Sequence, residues 1–305
     1  MSFEEHLKAV SRSNASPLAL QMVQQLGGAI VDCDPGNKAT NRKLWDLYAK
    51  EWGADKKFVA DMANSLGLES AEARADALKL IGDEWSQREA LEEVFADFIA
   101  PHVGKGVRVA EIGSGGGRVS VRTAALKPAR LQLFDVSMEM LKRARKALID
   151  RGHTEGVGYC HLKEDYDERS FDKFARQFDF VYCFDVMVHL DLHTVFQYFR
   201  IIRSMLADGG LAFVSCANLC SPLGWARFAK QSRFTVGGFY FMCPEMVRQL
   251  ARQAGLEIVR EAGERKGNVY YNRDFLCVMR RADDVPGSAT QTSAALVAPP
   301  PPDAP

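Results

Sequence analysis

The chain has 305 residues, 47% apolar and 26% charged, ordinary values for a globular protein that can bury a core without disulfide or metal staples. Lys plus Arg and Asp plus Glu each total 39, so the formal net charge is zero; a general nucleic-acid binder, which needs a basic excess, is disfavoured. No apolar run reaches membrane-spanning length, and the opening MSFEEHLKAV carries acids where a secretory leader carries base followed by an apolar stretch. Seven cysteines, an odd number without a CxxC pair, point to free thiols in the cytoplasm or a reducing organelle interior.

In chain order, residues 1–84 read as a helical N-terminal extension or cap. Trp45, Tyr48 and Trp52 recur at spacings of three and four, which puts them on one helix face. That face either packs on the core or closes over a ligand. Arg88–Ala100 reads as an amphipathic helix with Leu91, Val94, Phe95, Phe98 and Ile99 on its apolar face, stopped by Pro101. Strand-like runs follow at Gly106–Ile112, Arg130–Phe134, Val157–Leu162, Phe178–Phe184, Leu211–Ala217, Leu256–Arg260 and Asp274–Arg280. Helical stretches at Met138–Asp150, Thr194–Leu206 and Pro244–Ala254 separate most of them. The alternation predicts a doubly wound α/β fold, a mostly parallel seven-stranded sheet with helices on both faces. Between the sixth and seventh runs lies only EAGERKGNVYYNR, too short and polar for a crossover helix, so a hairpin with an antiparallel last strand is expected. Residues 282–305, Pro/Ala-rich and without Lys or Arg, are expected to be a disordered tail rather than a polyproline ligand.

The strongest local signal is VRVAEIGSGGGR, Val107 to Arg118: a strand, a glycine-dense turn, then a helix. Gly113 and Gly115 permit a tight turn and close backbone approach, with helix N–H groups facing a ligand. Asp135 ends the next strand, where a carboxylate can accept both hydroxyls of a ribose. A dinucleotide site would want glycine where Arg118 stands, and Glu111 just before the turn would repel a pyrophosphate while attracting an ammonium group, directly or through water.

Here the sequence resembles the class I S-adenosylmethionine-dependent methyltransferases, whose first motif is an acid, one residue, then G-x-G-x-G. Glu111, Ile112, Gly113, Ser114, Gly115, Gly116 and Gly117 supply it. The resemblance spans roughly Glu84 to Arg281, with residues 85–281 as the methyltransferase domain. It implies that Glu111, Gly113, Ser114, Gly115, Asp135 and Val136 hold S-adenosylmethionine, the product being S-adenosylhomocysteine. It further implies that Phe184 and Asp185, ending the fourth strand in FDFVYCFDVMVHL, lie near the methyl donor, and it makes Asp165 the adenine candidate in place of the family's Gly-Asp pair. The antiparallel last strand is also a feature of the family. The Pro-Pro motif of nucleobase amino-methyltransferases and the paired-glutamate hairpin of protein-arginine enzymes are absent, which favours a small-molecule acceptor.

His189, one turn beyond the fourth strand, is a candidate base or acceptor contact, and Tyr240 is a second catalytic candidate. The sequence HLDLH (His189, Asp191, His193) invites a metal, but Asp191 reads more naturally as a helix cap, and no metal is expected. Residues 218–243 form an insertion that interleaves aromatics with base. It is either a helix with a solvated basic side or a substrate cap in which Trp225, Arg227 and Arg233 meet the acceptor. The interleaving also suits RNA, against which the zero net charge argues. Methyl transfer to a small molecule, with a carboxylate-bearing metabolite leading, is therefore expected. O-, N- and S-methylation remain open, S-methylation in dimethylsulfoniopropionate synthesis among them. The alternatives are a nucleotide-dependent oxidoreductase and a non-catalytic S-adenosylmethionine-binding protein. No nucleic-acid or membrane partner is expected.

Overall fold

Apolar runs pair into one sheet of strands five to twelve residues long in the computed structural model, which describes residues 38–163, 166–231 and 238–284. Expectations placed on residues 1–37, Asp165, Arg233 and the tail from residue 285 lie outside those described. The strands are β1 Arg108–Ile112, β2 Arg130–Asp135, β3 Val157–His161, β4 Phe178–Cys183, β5 Leu206–Ala217, β6 Leu256–Glu261 and β7 Asp274–Arg281. Their spatial order is β3-β2-β1-β4-β5-β7-β6. β1 pairs in parallel with β2 and β4, β2 with β3, and β4 with β5, whereas β7 runs antiparallel between β5 and β6.

Successive strand residues point to opposite faces, and both faces are covered. Ala110 and Ile112 of β1, with Val181 and Cys183 of β4, join one buried cluster. Val109, Phe180 and Tyr182 join the other. This leaves Glu111 buried among apolar neighbours at the end of the central strand, where its charge is costly unless it is used.

The helices are α1 Lys38–Glu51, α2 Lys57–Asn64, α3 Ala71–Ala77, α4 Arg88–Val94, α5 Ser120–Ala125, α6 Met138–Ile149, α7 Leu192–Met205, α8 Pro222–Lys230, α9 Pro244–Gln253 and α10 Val269–Arg273. Three local expectations need correction. The helix expected over Arg88–Ala100 is regular only to Val94; a wide π turn, Phe95–Ile99, and a 3₁₀ turn, Ala100–His102, follow it. Pro101 has no N–H for a regular last turn, and the wide turn keeps Phe95, Phe98 and Ile99 in the core. β5 begins at Leu206 rather than Leu211, because the Gly209 turn (φ +70°) is absorbed as an irregularity in the β4–β5 ladder. The β6–β7 connection is no crossover, yet it holds the one-turn α10, where Asn268 caps the N–H groups of Tyr270 and Tyr271.

Candidate functional site

The glycine turn is shaped by its neighbours. Gly113 N and Ser114 N both donate to Phe134 O, at 2.7 and 3.1 Å, which folds the turn back onto the end of β2. Gly113 has φ +73°, and a Cβ there would stand 2.4 Å from Val186 Cγ2, so no side chain fits. Gly115, at φ +51°, faces open space instead. Ser114 Oγ is buried and has no protein hydrogen-bond partner among the described residues.

That open space is a cavity of about 970 Å³, mouth included, at the carboxyl ends of the central strands. Among the expected residues, Glu111, Gly113, Ser114, Gly115, Asp135, Val136, Phe184, Asp185 and His189 line it. Asp135 holds the turn in place: Gly115 N donates to its Oδ2 and Ser137 N to its Oδ1, each at 2.8 Å. Burial raises Asp135 to about 6 despite these bonds. Burial pushes Glu111 further, to about 8, although the Ser120 hydroxyl donates to Glu111 Oε2 at 2.5 Å. Glu111 is therefore largely neutral at pH 7 until a cation draws its proton off.

At the far end, Asp185 occupies the left-handed region at φ +58°, a conformation that non-glycine residues keep only where the surroundings enforce it. Ser215 Oγ accepts from Asp185 N at 2.7 Å, and Arg273 Nη2 donates to Asp185 Oδ1 at 2.8 Å. Arg273 also donates from Nε and Nη2 to Asp274 at 2.8 and 2.6 Å, so a buried ion network fixes Asp185 at the cavity wall. His189 Nδ1 lies 2.9 Å from Gly238 O, which makes Nδ1 the protonated nitrogen and Nε2 the basic one. Burial lowers His189 to about 4, so it is neutral at pH 7.

The remaining candidates divide. Asp191 is a helix cap, accepting from His193 N and Thr194 N at 3.0 Å each. Trp225, Arg227 and Tyr240 do not line the cavity. Trp225 is 57% exposed on α8. Arg227 stacks 4.0 Å over the Phe239 ring, which packs on His189 at 5.4 Å, so it stands one layer behind the cavity wall. Tyr240 donates its backbone N–H to Val188 O at 2.7 Å.

Several lining residues escaped the sequence reading. Arg118, noted there only as a missing glycine, lines the cavity; its Nη1 donates to Tyr270 OH at 3.1 Å and its Nη2 to Ser86 Oγ at 2.8 Å. On α1 the sequence pointed to Trp45 as one of a face that packs or closes over a ligand, but not to Lys38 and Asn41; all three face the cavity. Asn41 Nδ2 donates to His189 O at 3.0 Å. Arg42 donates from Nε to Val136 O at 3.1 Å and from Nη2 to Leu162 O at 2.9 Å. Asp46 Oδ1 accepts from Ser137 Oγ at 2.5 Å. The Trp45 ring stands 5.1 Å from His189 and 5.9 Å from Trp85. The aromatic face of α1 thus both packs and closes the cavity.

A mostly parallel sheet of this order, a glycine turn after β1 and an acid ending β2 define the class I S-adenosylmethionine-dependent methyltransferases. The chain belongs to the methyltransferase-domain family, whose model matches residues 83–261. S-adenosylmethionine is its methyl donor. The buried, unpartnered Ser114 hydroxyl, the open space at Gly115 and a glutamate held ready for a cation all fit that molecule.

Solved structures share the fold. The magnesium protoporphyrin IX methyltransferase of Synechocystis PCC 6803, with bound S-adenosylhomocysteine, is 17% identical at a TM-score of 0.54; the match covers 80% of this chain and 99% of that one. The PH0226 protein of Pyrococcus horikoshii OT3 is 19% identical at a TM-score of 0.50, covering 66% and 92% respectively. A [4+2]-cyclase is 16% identical at a TM-score of 0.50, covering 61% and 79%. No curated protein matches the chain in sequence. Among the described residues, no helix is long and apolar enough to cross a membrane.

Proposed function

We propose that the protein methylates a small, carboxylate-bearing metabolite whose reacting atom lies beside Asp185 and His189. The observation that carries this reading is the cavity itself: one continuous space joins the glycine turn to His189 and is walled by aromatics and a buried arginine. When bound, the donor supplies an electrophilic methyl group on a sulfonium. The protein supplies position and dryness. Glu111 and Asp135 hold the donor's ammonium and ribose, and Ser114 offers its hydroxyl. Trp45 and Trp85 keep water from the methyl group, so a displacement in line is favoured largely by orientation.

His189 Nε2 accepts the acceptor's hydrogen bond and, for an O–H or N–H acceptor, its proton; a thioether needs no base. Arg233 receives the carboxylate, with Trp225 on the same cap, while Arg227 supports the acceptor side from behind Phe239. Arginine suits that task because its planar fork makes two parallel hydrogen bonds. Tyr240 ties the cap to the turn after β4 through its backbone bond to Val188. The compartment we assign is the cytoplasm or a reducing organelle interior, where the buried thiols of Cys183, Cys216 and Cys277 remain reduced. The test is incubation with methyl-labelled S-adenosylmethionine and a metabolite extract. Label should appear in a small carboxylic acid; label confined to protein or nucleic acid would sink the reading.

A further inference from the structure

Two thiols stand at the neck of the segment that walls the far side of His189. The chain leaves the sheet after β5 and returns before α9, and an isolated parallel bridge, Asn218 with Met242, ties the two stalks. Leu219 N donates to Met242 O at 3.0 Å, and Met242 N to Ala217 O at 2.9 Å. Cys220 lies just past the bridge on the outgoing stalk and Cys243 just past it on the returning stalk. Cys220 is two residues past the bridge and Cys243 one, so the bridge holds the two stalks side by side next to both thiols, and a disulfide spans roughly 4.4–6.8 Å between Cα atoms. The Cys243 thiol also pushes the Cys220 thiol up, as a close neighbour does.

Exposure and proximity together separate this pair from the other described cysteines; Cys160 is also half-buried, but it sits on β3 at the far edge of the sheet. Cys220 is exposed and Cys243 half-buried, whereas Cys183, Cys216 and Cys277 neighbour one another inside the sheet, beyond reach of a dissolved oxidant. We propose that Cys220 and Cys243 form a reversible disulfide by exchange with a low-molecular-weight disulfide such as oxidised glutathione, clamping the cap at its base. The Cys220 thiolate attacks one glutathione sulfur, the glutathione S–S bond breaks, and the first glutathione leaves as a thiol. The Cys243 thiolate then attacks the Cys220 sulfur, and the second glutathione leaves. Two electrons pass from the cysteine pair to the oxidant, and the two cysteine protons end on the two glutathiones. Because Cys220 is pushed up, the exchange quickens as pH rises.

The clamp acts on one side of the site. Between the two cysteines lie α8, Arg227 over Phe239, and Gly238, whose carbonyl holds His189. Gln231 braces the same wall, exchanging hydrogen bonds with the Phe239 backbone at 2.7 and 2.8 Å. The donor cradle, formed by β1, β2 and α1, lies outside the clamped segment. Oxidation therefore alters the acceptor side and spares donor binding. The thiol pair stands whether or not the acceptor is a carboxylate.

The experiment treats the full chain with oxidised or reduced glutathione, quenches by alkylation and maps the peptides. The expected product is a Cys220–Cys243 linked peptide, two hydrogens lighter and reversed by reduced thiol. Oxidised wild type should melt about 3 °C or more above the reduced form, and Cys220→Ser and Cys243→Ser should each lose that shift. S-adenosylhomocysteine affinity by calorimetry should agree within about twofold between the two forms. A glutathione adduct persisting on Cys220, full alkylation of both thiols, or a bond between other cysteines overturns the disulfide. A tenfold change in S-adenosylhomocysteine affinity overturns the one-sided clamp.

Discussion

Replacing Glu111 by Gln tests whether the central carboxylate meets the donor's ammonium. With a midpoint of about 8, Glu111 is about 90% protonated at pH 7 in the ligand-free protein. Pairing with an ammonium requires the charged form, and ionising the group at pH 7 costs about 1.4 kcal/mol. A charge-assisted hydrogen bond returns about 1.5–3 kcal/mol, so the net loss on Glu111→Gln is only about 0–1.6 kcal/mol at pH 7. The mutant therefore binds S-adenosylhomocysteine between equally well and roughly fifteenfold more weakly. The pH dependence is the sharper reading. Wild-type affinity should rise about five- to fourteenfold from pH 6.5 to 8, as the ionisation cost falls away, and binding at pH 7 should release about 0.5–0.85 proton. Glu111→Gln should be flat within about twofold over that range. Folding shows the opposite sign. The ligand-free fold keeps a proton that the unfolded chain gives up near 4.5, so its stability falls as pH climbs from there through about 8. Glu111→Gln removes that fall. Calorimetry in buffers of different ionisation enthalpy reads the proton, and thermal melts read the stability. A wild-type affinity indifferent to pH, or a slope that survives in the mutant, would refute the pairing.

Asp135→Ala should weaken S-adenosylhomocysteine binding by roughly ten- to hundredfold, from about 1.5–3 kcal/mol per charge-assisted hydrogen bond; unchanged affinity in a folded mutant counts against its ribose role. His189→Ala should slow methyl transfer while donor affinity stays within a few-fold, and equal losses of melting temperature and donor binding would mark His189 as structural. Arg233→Lys should raise the acceptor's KM roughly ten- to hundredfold at nearly constant donor affinity, and Arg227→Lys, acting only through Phe239, about threefold or less, checked by steady-state kinetics once the labelled product is known; if Arg233→Lys does not move it, the basic residues only wet the cap.

What the sequence displayed well was whatever depends on backbone conformation or on charge at a fixed chain position. Gly113 must be glycine because Val186 occupies the space of a Cβ, and such a requirement leaves a visible letter. Glu111 and Asp135 stand out as acids ending apolar strands, since burial there is costly without a use. The seven strands were legible from apolar runs and glycine punctuation, apart from the start of β5, where Gly209 resembles a turn and is taken up by the ladder. Arg118 shows in the sequence only as the residue that breaks a dinucleotide glycine pattern, because the partners of its guanidinium, Ser86 and Tyr270, are 32 and 152 positions away. Asp165 and Arg233 stay expectations of the sequence.

The cap was the hardest part to read, for a physical reason. Asn41 and Arg42 bind backbone carbonyls of His189, Val136 and Leu162, and every residue type offers such a carbonyl, so the partner leaves no mark in the sequence. Asp46 does meet a serine side chain, but one 91 positions away, beyond any local periodicity. The spacing of Trp45, Tyr48 and Trp52 revealed that a face is apolar, not what it faces. Once placed, that face explains the arrangement of the site. The α1 side chains grip the ends of β2 and β3 and the turn after β4, the three places where an acid, an apolar wall and His189 must hold their spacing around one ligand. A helix that closes the cavity with bonds to all three also sets the distances between them. The same residues thus exclude water and fix geometry, which is why shielding and orientation cannot be assigned to separate parts of this chain.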